Sequence, residues 1–412
     1  MADIPDDDQG YWTQELGDVI TNILDRKRSS VQGREEAFAA YCRLSKFHYV
    51  QEELFGRIGE LIGAFCKSIK LETSVRETTL ALRSLELLSL SAYDSTIYEN
   101  VEPVLSRTIR DSTSYVVKAT AIQCLGACAV FGGAGQDGMM DQMTFFLDII
   151  ASDGQSVDAT DDADCVEAAL AEWGHLATYM WDLAAESEEA IQIFADQLDS
   201  NDTGVQIAAG ENIALLYEKS YSPQFDYAND DDDDDDNQDG VDEEEELLSY
   251  EGPRLVKRYE AYHNTAELVQ QLQSLATAHS KRISKRDKKS LHSNFLSIKT
   301  TVEEPRRGPM YNTAIDQETN KHYGSKFTVK VGRDSAMKVD RWWKWIRLNN
   351  FRRMLQGGFV VHYHRGNRAM LENLPVVFRD IQSSTGDRSR TKKHGRRGDT
   401  RKFAIHDQSD EE

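Results

Sequence analysis

Cysteine is sparse in this chain. Its five copies (Cys42, Cys66, Cys124, Cys128, Cys165) all fall in apolar, helix-like sequence of the first half, without the spacing of a disulfide framework. This excludes a disulfide-stapled secreted scaffold and points to a reducing compartment, the cytoplasm and also the nucleus. Long apolar runs are missing as well: no window approaches the ~18 residues needed to span a bilayer. The opening MADIPDDDQG has neither a basic n-region nor an apolar h-region. A soluble, unsecreted protein with no membrane partner is expected. Catalytic signatures are also lacking, with no Walker lysine loop, G-x-S-x-G elbow, HExxH or paired CxxC. Gly133-Ala-Gly135-Gln-Asp-Gly138 fits GxGxxG, but it follows helical sequence rather than a strand and reads as an inter-helix loop. His362 and His364 alternate like strand neighbours, yet no Cys or acid stands near to complete a metal site. Cys124 and Cys128 share a helix face as small buried hydrophobes. We therefore expect a non-enzyme with no cofactor, no metal and no small-molecule substrate.

What is present is charge, sorted along the chain. The net charge of -22 hides two opposite halves: residues 1–249 carry 15 Lys+Arg against 52 Asp+Glu, and residues 250–412 carry 33 against 18. An evenly charged globule would not sort its charges in this way. The halves read as modules with different partners, and the second, at +15, is the one that can meet phosphate.

From Tyr11 to about Glu218 the sequence reads as amphipathic helices divided by short Gly/Ser/Asp/Asn breaks, among them Gln51–Ile69, Val75–Leu90, Val116–Phe131, Ala163–Leu183 and Val205–Tyr217. Val117, Ala121, Leu125 and Cys128 have the spacing of Val205, Ala209, Ile213 and Leu216, and Val166, Leu170, Gly174 and Ala177 follow in similar style. Starts at 75, 117, 166 and 205 recur at the ~40–50-residue period of HEAT and armadillo repeats. One such helix pair cannot bury its apolar stripe alone, so several must stack. Asp230 to Asp236, followed by Asp239, Asp242 and Glu243 to Glu246, repel one another and bury nothing, so residues 221–249 read as a disordered acidic linker. It is either a solvated spacer or an electrostatic decoy for the basic module. Pro253–Ile298 returns to helical periodicity with Leu268, Leu272, Leu275 and Ala276 on one face. Phe327–Val331 and Ala336–Val339 form the arms of a small hairpin. Asp340 reads as the N-cap of a helix running through Trp342, Trp343 and Trp345 to Leu355, stopped by Gly357-Gly358. Met370–Ile381 is a last apolar, helix-like piece before a basic tail, 383–412, expected to be disordered. The fold class is mainly α: an armadillo/HEAT-like repeat domain (1–220), the acidic linker (221–249), a basic, mostly helical domain with a short hairpin (250–382), and the tail.

Candidate RNA contacts are the cations. Lys281, Arg282, Lys285, Arg286, Lys288 and Lys289 lie at several azimuths of one helix and can straddle a phosphate backbone, although the run also fits a nuclear-import signal or a solvated face. Arg352 and Arg353 follow on the tryptophan helix. Arg388, Arg390, Lys392, Lys393, Arg396, Arg397, Arg401 and Lys402 make the tail suited to ordering along RNA, with a plain solubility tail as the alternative. The tryptophans could stack on bases, but at helical spacing they read first as core.

At these C-terminal residues the chain resembles the interferon-related developmental regulator family. The likeness rests on Lys285-Arg286-Asp287-Lys288-Lys289 to Phe295 with Thr301-Val302-Glu303, on Val339-Asp340-Arg341-Trp342, and on Leu348 to Gly357 followed by His364 and Arg379-Asp380-Ile381. The resemblance implies a non-catalytic regulator with an armadillo-like first domain. Family members are described as transcriptional co-regulators and as factors that occupy transfer-RNA sites of non-translating ribosomes. Ribosomal RNA and ribosomal proteins, or else a chromatin-modifying co-repressor complex, are thus the partners to expect. The poly-Asp run and Gly357-Gly-Phe-Val-Val-His-Tyr-His364 depart from the family pattern.

Overall fold

A computed structural model describes residues 9–25, 29–223, 255–277, 285–317, 320, 322–331, 335–375 and 377–378, with 9, 223, 285–290 and 377–378 given by their backbone. The acidic run, Lys281, Arg282 and the basic tail lie outside the described residues. Helices α1 (Gln9–Leu24), α2 (Val31–Phe47), α3 (Gln51–Leu54), α4 (Ile58–Leu71), α5 (Val75–Ala92), α6 (Ile97–Asp111), α7 (Tyr115–Phe131), α8 (Gly135–Ala151), α9 (Ala163–Ala177), α10 (Ser187–Gln197) and α11 (Thr203–Lys219) fill the first half. They pack in two layers. In one, α2, α5, α7, α9 and α11 touch in that order; in the other, α1, α4, α6, α8 and α10 cover them.

The inner order is written at the helix starts. Each of α2, α5, α7, α9 and α11 opens on Ser30, Ser74, Ser114, Asp162 or Asp202, whose side chain accepts a first-turn N–H. Such a cap contributes ~1 kcal/mol. The covering helices α4, α6, α8 and α10 have no side-chain cap and depend on their apolar stripes. Small residues set the spacing between layer neighbours. A Cβ at Gly174 of α9 would lie 2.0 Å from Asn212 Oδ1 of α11, while Asn212 Nδ2 donates to Leu170 O at 2.8 Å. All five cysteines are buried and free, as small apolar fillers.

The stack continues past the acidic run. Strand β1 (Tyr221–Pro223) pairs antiparallel with β2 (Leu255–Lys257), so the chain leaves and re-enters at one edge. Then α12 (Thr265–Thr277) joins the covering layer, with Tyr262 Oη donating to Gln192 at 2.6 Å and Gln271 to Ala195 O at 3.0 Å. Helix α13 (Lys285–Glu303) lies beside α11, its Phe295 and Ile298 seated over Gly210. The two halves of opposite charge therefore share one core, in which Leu268, Leu272, Phe295, Ile298 and Trp342 are buried with the repeat residues.

The remaining chain forms an arm. An exposed hairpin, β3 (Asn312–Ile315) with β4 (His322–Gly324), precedes a three-stranded antiparallel sheet in the order β5 (Thr328–Lys330), β6 (Ser335–Lys338), β7 (Val377–Phe378). Helix α14 (Trp342–Leu355) crosses α2, α5, α9 and α11, and α15 (Phe359–His364) and α16 (Arg368–Asn373) follow. Sheet residues Val329, Met337 and Val339 meet Phe351 and Met354 of α14 over Cys42, Leu87 and Phe131 of the repeat.

The expected hairpin at 327–339 is present. Several boundaries differ. Gln51–Ile69 is broken where Gly56 takes φ +75°, and α9 stops at Ala177 rather than Leu183. Helical periodicity from Pro253 gives way at its start to β2, which pairing with β1 holds extended. Residues 359–364 are helical, not strand-like: His362 is buried, with Nε2 2.9 Å from Ser45 O and Nδ1 3.0 Å from Asn367 Nδ2. Gly358 sits so close to α2 that a Cβ would fall 1.6 Å from Lys46 O, so it serves close packing as well as helix termination.

Candidate nucleic-acid interface

Two of the candidate cations, Arg352 and Arg353, lie on the arm, and its seating decides which of them faces outward. Asp340 does not cap α14. It pairs instead with Lys344 at 2.6 Å, and the N-cap residue is Arg341. The cap comes from the repeat: Glu218 of α11 accepts from Trp342 N at 2.7 Å and Trp343 N at 3.2 Å. Nearby, Glu211 accepts from Trp345 Nε1 at 2.9 Å. Burial pushes both carboxyls up to about 7, against the ordinary carboxylate range. Trp342 is buried and donates Nε1–H to Thr301 Oγ1 at 2.7 Å, and Trp343 and Trp345 pack on the core at its edge. Trp342 is core, which removes it from the candidate base-stacking surface, while Trp343 and Trp345 are half-buried beside it.

Farther along α14, Arg353 points inward. Its guanidinium lies 2.6 Å from Glu86 of α5 and 2.9 Å from Glu172 of α9, both buried carboxylates. Burial works against the Arg353 charge, but the two carboxylates outweigh it and leave its pKa above the ordinary value. Asn350 donates to Glu172 at 3.2 Å. Arg347 lies over the Tyr179 ring at 3.8 Å and donates to Thr178 O at 2.8 Å. Arg352 is half-buried, and desolvation lowers its pKa. Of the α14 arginines, then, Arg353 is committed to the repeat and only Arg352 retains an outward option.

Lys285, Arg286, Lys288 and Lys289 begin α13, beyond which no described helix continues that layer. They share one helix end with one another, but not with Arg352 and Arg353 of α14. The tail cations Arg388 to Lys402, like Lys281 and Arg282, lie outside the described residues.

Sequence reading missed two features. One is the row of acids Glu86, Glu172, Glu211 and Glu218 that receives the arm. Its signal is an acid set among apolar neighbours, as in Leu-Glu-Leu-Leu around Glu86. The other is the β3–β4 hairpin, where Arg307 lies over Tyr311 at 5.5 Å and Lys326 over Tyr323 at 4.3 Å, with Ile315 and Tyr323 exposed. Cations interleaved with accessible rings suit stacking on unpaired bases. Among the described residues no His/Cys/Asp/Glu group could hold a metal, and no helix is long and apolar enough to cross a membrane.

Comparison with known proteins bears on this architecture. A family model for interferon-related developmental regulators matches residues 2–303, ending where α13 ends. The basic string from Lys285 to Glu303 falls within that match; the strings beyond Val339 lie past it. An uncharacterised protein of Schizosaccharomyces pombe is 23% identical over 356 residues, covering 85% of this chain and 72% of its own. Interferon-related developmental regulator 1 of the pig, Sus scrofa, is 23% identical over 312 residues, 72% of this chain. The chain spans 58% of the pig protein's length. With the family match covering well over half of its residues, the chain belongs to the interferon-related developmental regulator family.

Proposed function

We propose that the protein is a non-catalytic RNA-binding regulator that docks on the ribosome through its basic half and restrains translation by occupancy. The observation that carries the reading is charge placement. Cations gather past Tyr250, at +15 overall, and the run from Lys285 to Lys289 opens α13. The acids facing the arm are meanwhile occupied by Arg353, Asn350 and the N–H groups of α14, so the arm's own seat does not compete for the terminal cations. Phosphate binding of this kind releases counterions, and its strength falls steeply with salt. The strongly acidic repeat supplies the complementary surface for basic ribosomal proteins.

A sucrose-gradient profile of tagged protein at low and high salt tests this. Co-sedimentation with monosomes at low salt is expected, reduced on neutralising Lys281 to Lys289 and on deleting 383–412. Protein that stays at the top of the gradient in starved cells and collects in nuclei would replace this reading with that of a nuclear co-regulator acting through a chromatin-modifying complex.

A further inference from the structure

We infer that the groove between α4 and α6, in the covering layer rather than on the helices the arm crosses, docks an acidic amphipathic helix of a partner protein. A cavity of about 950 Å³ lies here, and Ile58, Ile62, Cys66 and Val104 line it. Two large apolar side chains also line it without being covered, Phe55 at 89% exposure and Leu71 at 58%. An apolar groove of this width between helices suits the insertion of a third helix through side chains at i, i+3/i+4 and i+7.

The glycines of α4 point the same way. Some helix glycines bring the chain's own helices together, as at Gly174, whose Cβ would meet Asn212 at 2.0 Å, and at Gly210, whose Cβ would meet Ile298 at 2.7 Å, whereas Gly10 and Gly17 of α1 meet nothing. Gly59 and Gly63 lie one turn apart on α4, both in the groove, and a Cβ on either meets nothing within 4 Å. Glycine inside a helix costs stability relative to alanine. Here no packing among the described residues offsets that cost, and the groove beside both glycines leaves room for a backbone arriving from outside.

Charge selects the occupant. Lys67 and Lys70 line the groove, are exposed, and form no ion pair among the described residues. The one lining carboxylate, Asp94, is turned into its own loop, accepting from Thr96 N at 2.8 Å and Thr96 Oγ1 at 2.7 Å. Two unpaired lysines over an apolar floor favour a helix flanked by Asp or Glu. The whole chain, at -22, would repel such a helix, so a preference for it can come only from local structure.

The test uses the full chain and two labelled synthetic helices of about 18 residues, with leucines at i, i+3/i+4 and i+7. One is flanked by glutamates and the other by lysines, and binding is read by fluorescence anisotropy. The glutamate peptide should bind at least tenfold more tightly than the lysine peptide. Lys67→Glu with Lys70→Glu should reverse that order. Gly63→Leu, which fills the groove and favours the helix, should abolish binding while leaving the melting temperature unchanged or raised. Equal binding of both peptides, or undiminished binding to the Gly63→Leu protein, overturns the proposal. So does a concentration-dependent dimer that Gly63→Leu abolishes, which would assign the groove to a second copy of the chain.

Discussion

The two ends of α14 rest on glutamates of the same helical layer, buried at Glu86, Glu172 and Glu218 and half-buried at Glu211, yet they are satisfied in different ways. At the C-terminal end, Glu86 and Glu172 face a full positive charge, the Arg353 guanidinium. At the N-terminal end, Glu218 and Glu211 accept from N–H groups of the backbone and of an indole. The difference teaches which end is costly to disturb. Removing Arg353 leaves two carboxylates buried with no compensating cation, whereas removing Glu218 leaves two helix-end N–H groups that water can reach by fraying. We expect Arg353→Ala to destabilise the protein by ~3–5 kcal/mol, the range for breaking a buried pair. The combined replacement Glu86→Gln, Glu172→Gln, Arg353→Met should recover most of that loss, because no charge is then stranded. Urea unfolding read by tryptophan fluorescence checks both. A cost below ~1 kcal/mol for Arg353→Ala would mean that water already solvates the pair.

At the other end, Glu218→Ala should cost only ~1 kcal/mol, the worth of a helix cap. The lost bonds are partly offset by no longer burying a carboxyl. The effect should be local. Hydrogen exchange should quicken at the first turn of α14, Trp342 to Trp345, and leave Phe351 to Leu355 protected. Equal loss of protection at both ends would show that α14 seats as one cooperative unit and would erase the contrast between them.

Most of the repeat was legible in sequence because its signals are local: an apolar stripe within each helix, and Ser or Asp before α2, α5, α7, α9 and α11. The recurrence at 75, 117, 166 and 205 corresponds to α5, α7, α9 and α11. What sequence could not carry is pairing between distant residues. Asp340 looks like an N-cap by position, but the cap is Glu218, more than a hundred residues earlier, and nothing in either local sequence names the other. The same holds for Arg353. As one more arginine in a basic half it reads as a phosphate contact, and only the packing of α14 across α5 and α9 shows its charge already matched. The charge asymmetry of the chain was visible at once, but that part of it is used internally, acid layer against basic arm, required the fold. His362 was misread as a strand residue because Val-Val-His-Tyr-His alternates, whereas tertiary contact with Ser45 and Asn367 fixes a short helix there.

The contrast between the ends also predicts two pH dependences of opposite sign. Glu218, pushed by burial to about 7, binds its proton in the folded state at pH values where the unfolded carboxyl has released it. Its contribution to stability is therefore full below about pH 4.5 and is lost as pH rises through about 7. His362 is the reverse. Burial lowers it from 6.5 to about 4, so the unfolded imidazole takes up a proton that the folded one refuses. Its contribution is full above pH 6.5 and is lost as pH falls toward 4. Between pH 6.5 and 4.5 the two groups act against each other, each at a limiting slope of ~1.4 kcal/mol per pH unit, with Glu211, also raised to about 7, acting in the sense of Glu218. Single variants should uncover them. Relative to wild type, Glu218→Gln should lose stability on acidification from pH 7 to 4.5, and His362→Gln should gain it from pH 6.5 downward. Urea midpoints measured at half-unit steps give both difference curves. If the Glu218→Gln curve is flat, its carboxyl is hydrated in the folded state and the N-terminal end of α14 is open to water; if the His362→Gln curve is flat, the contact between α15 and Ser45 is the one that admits it.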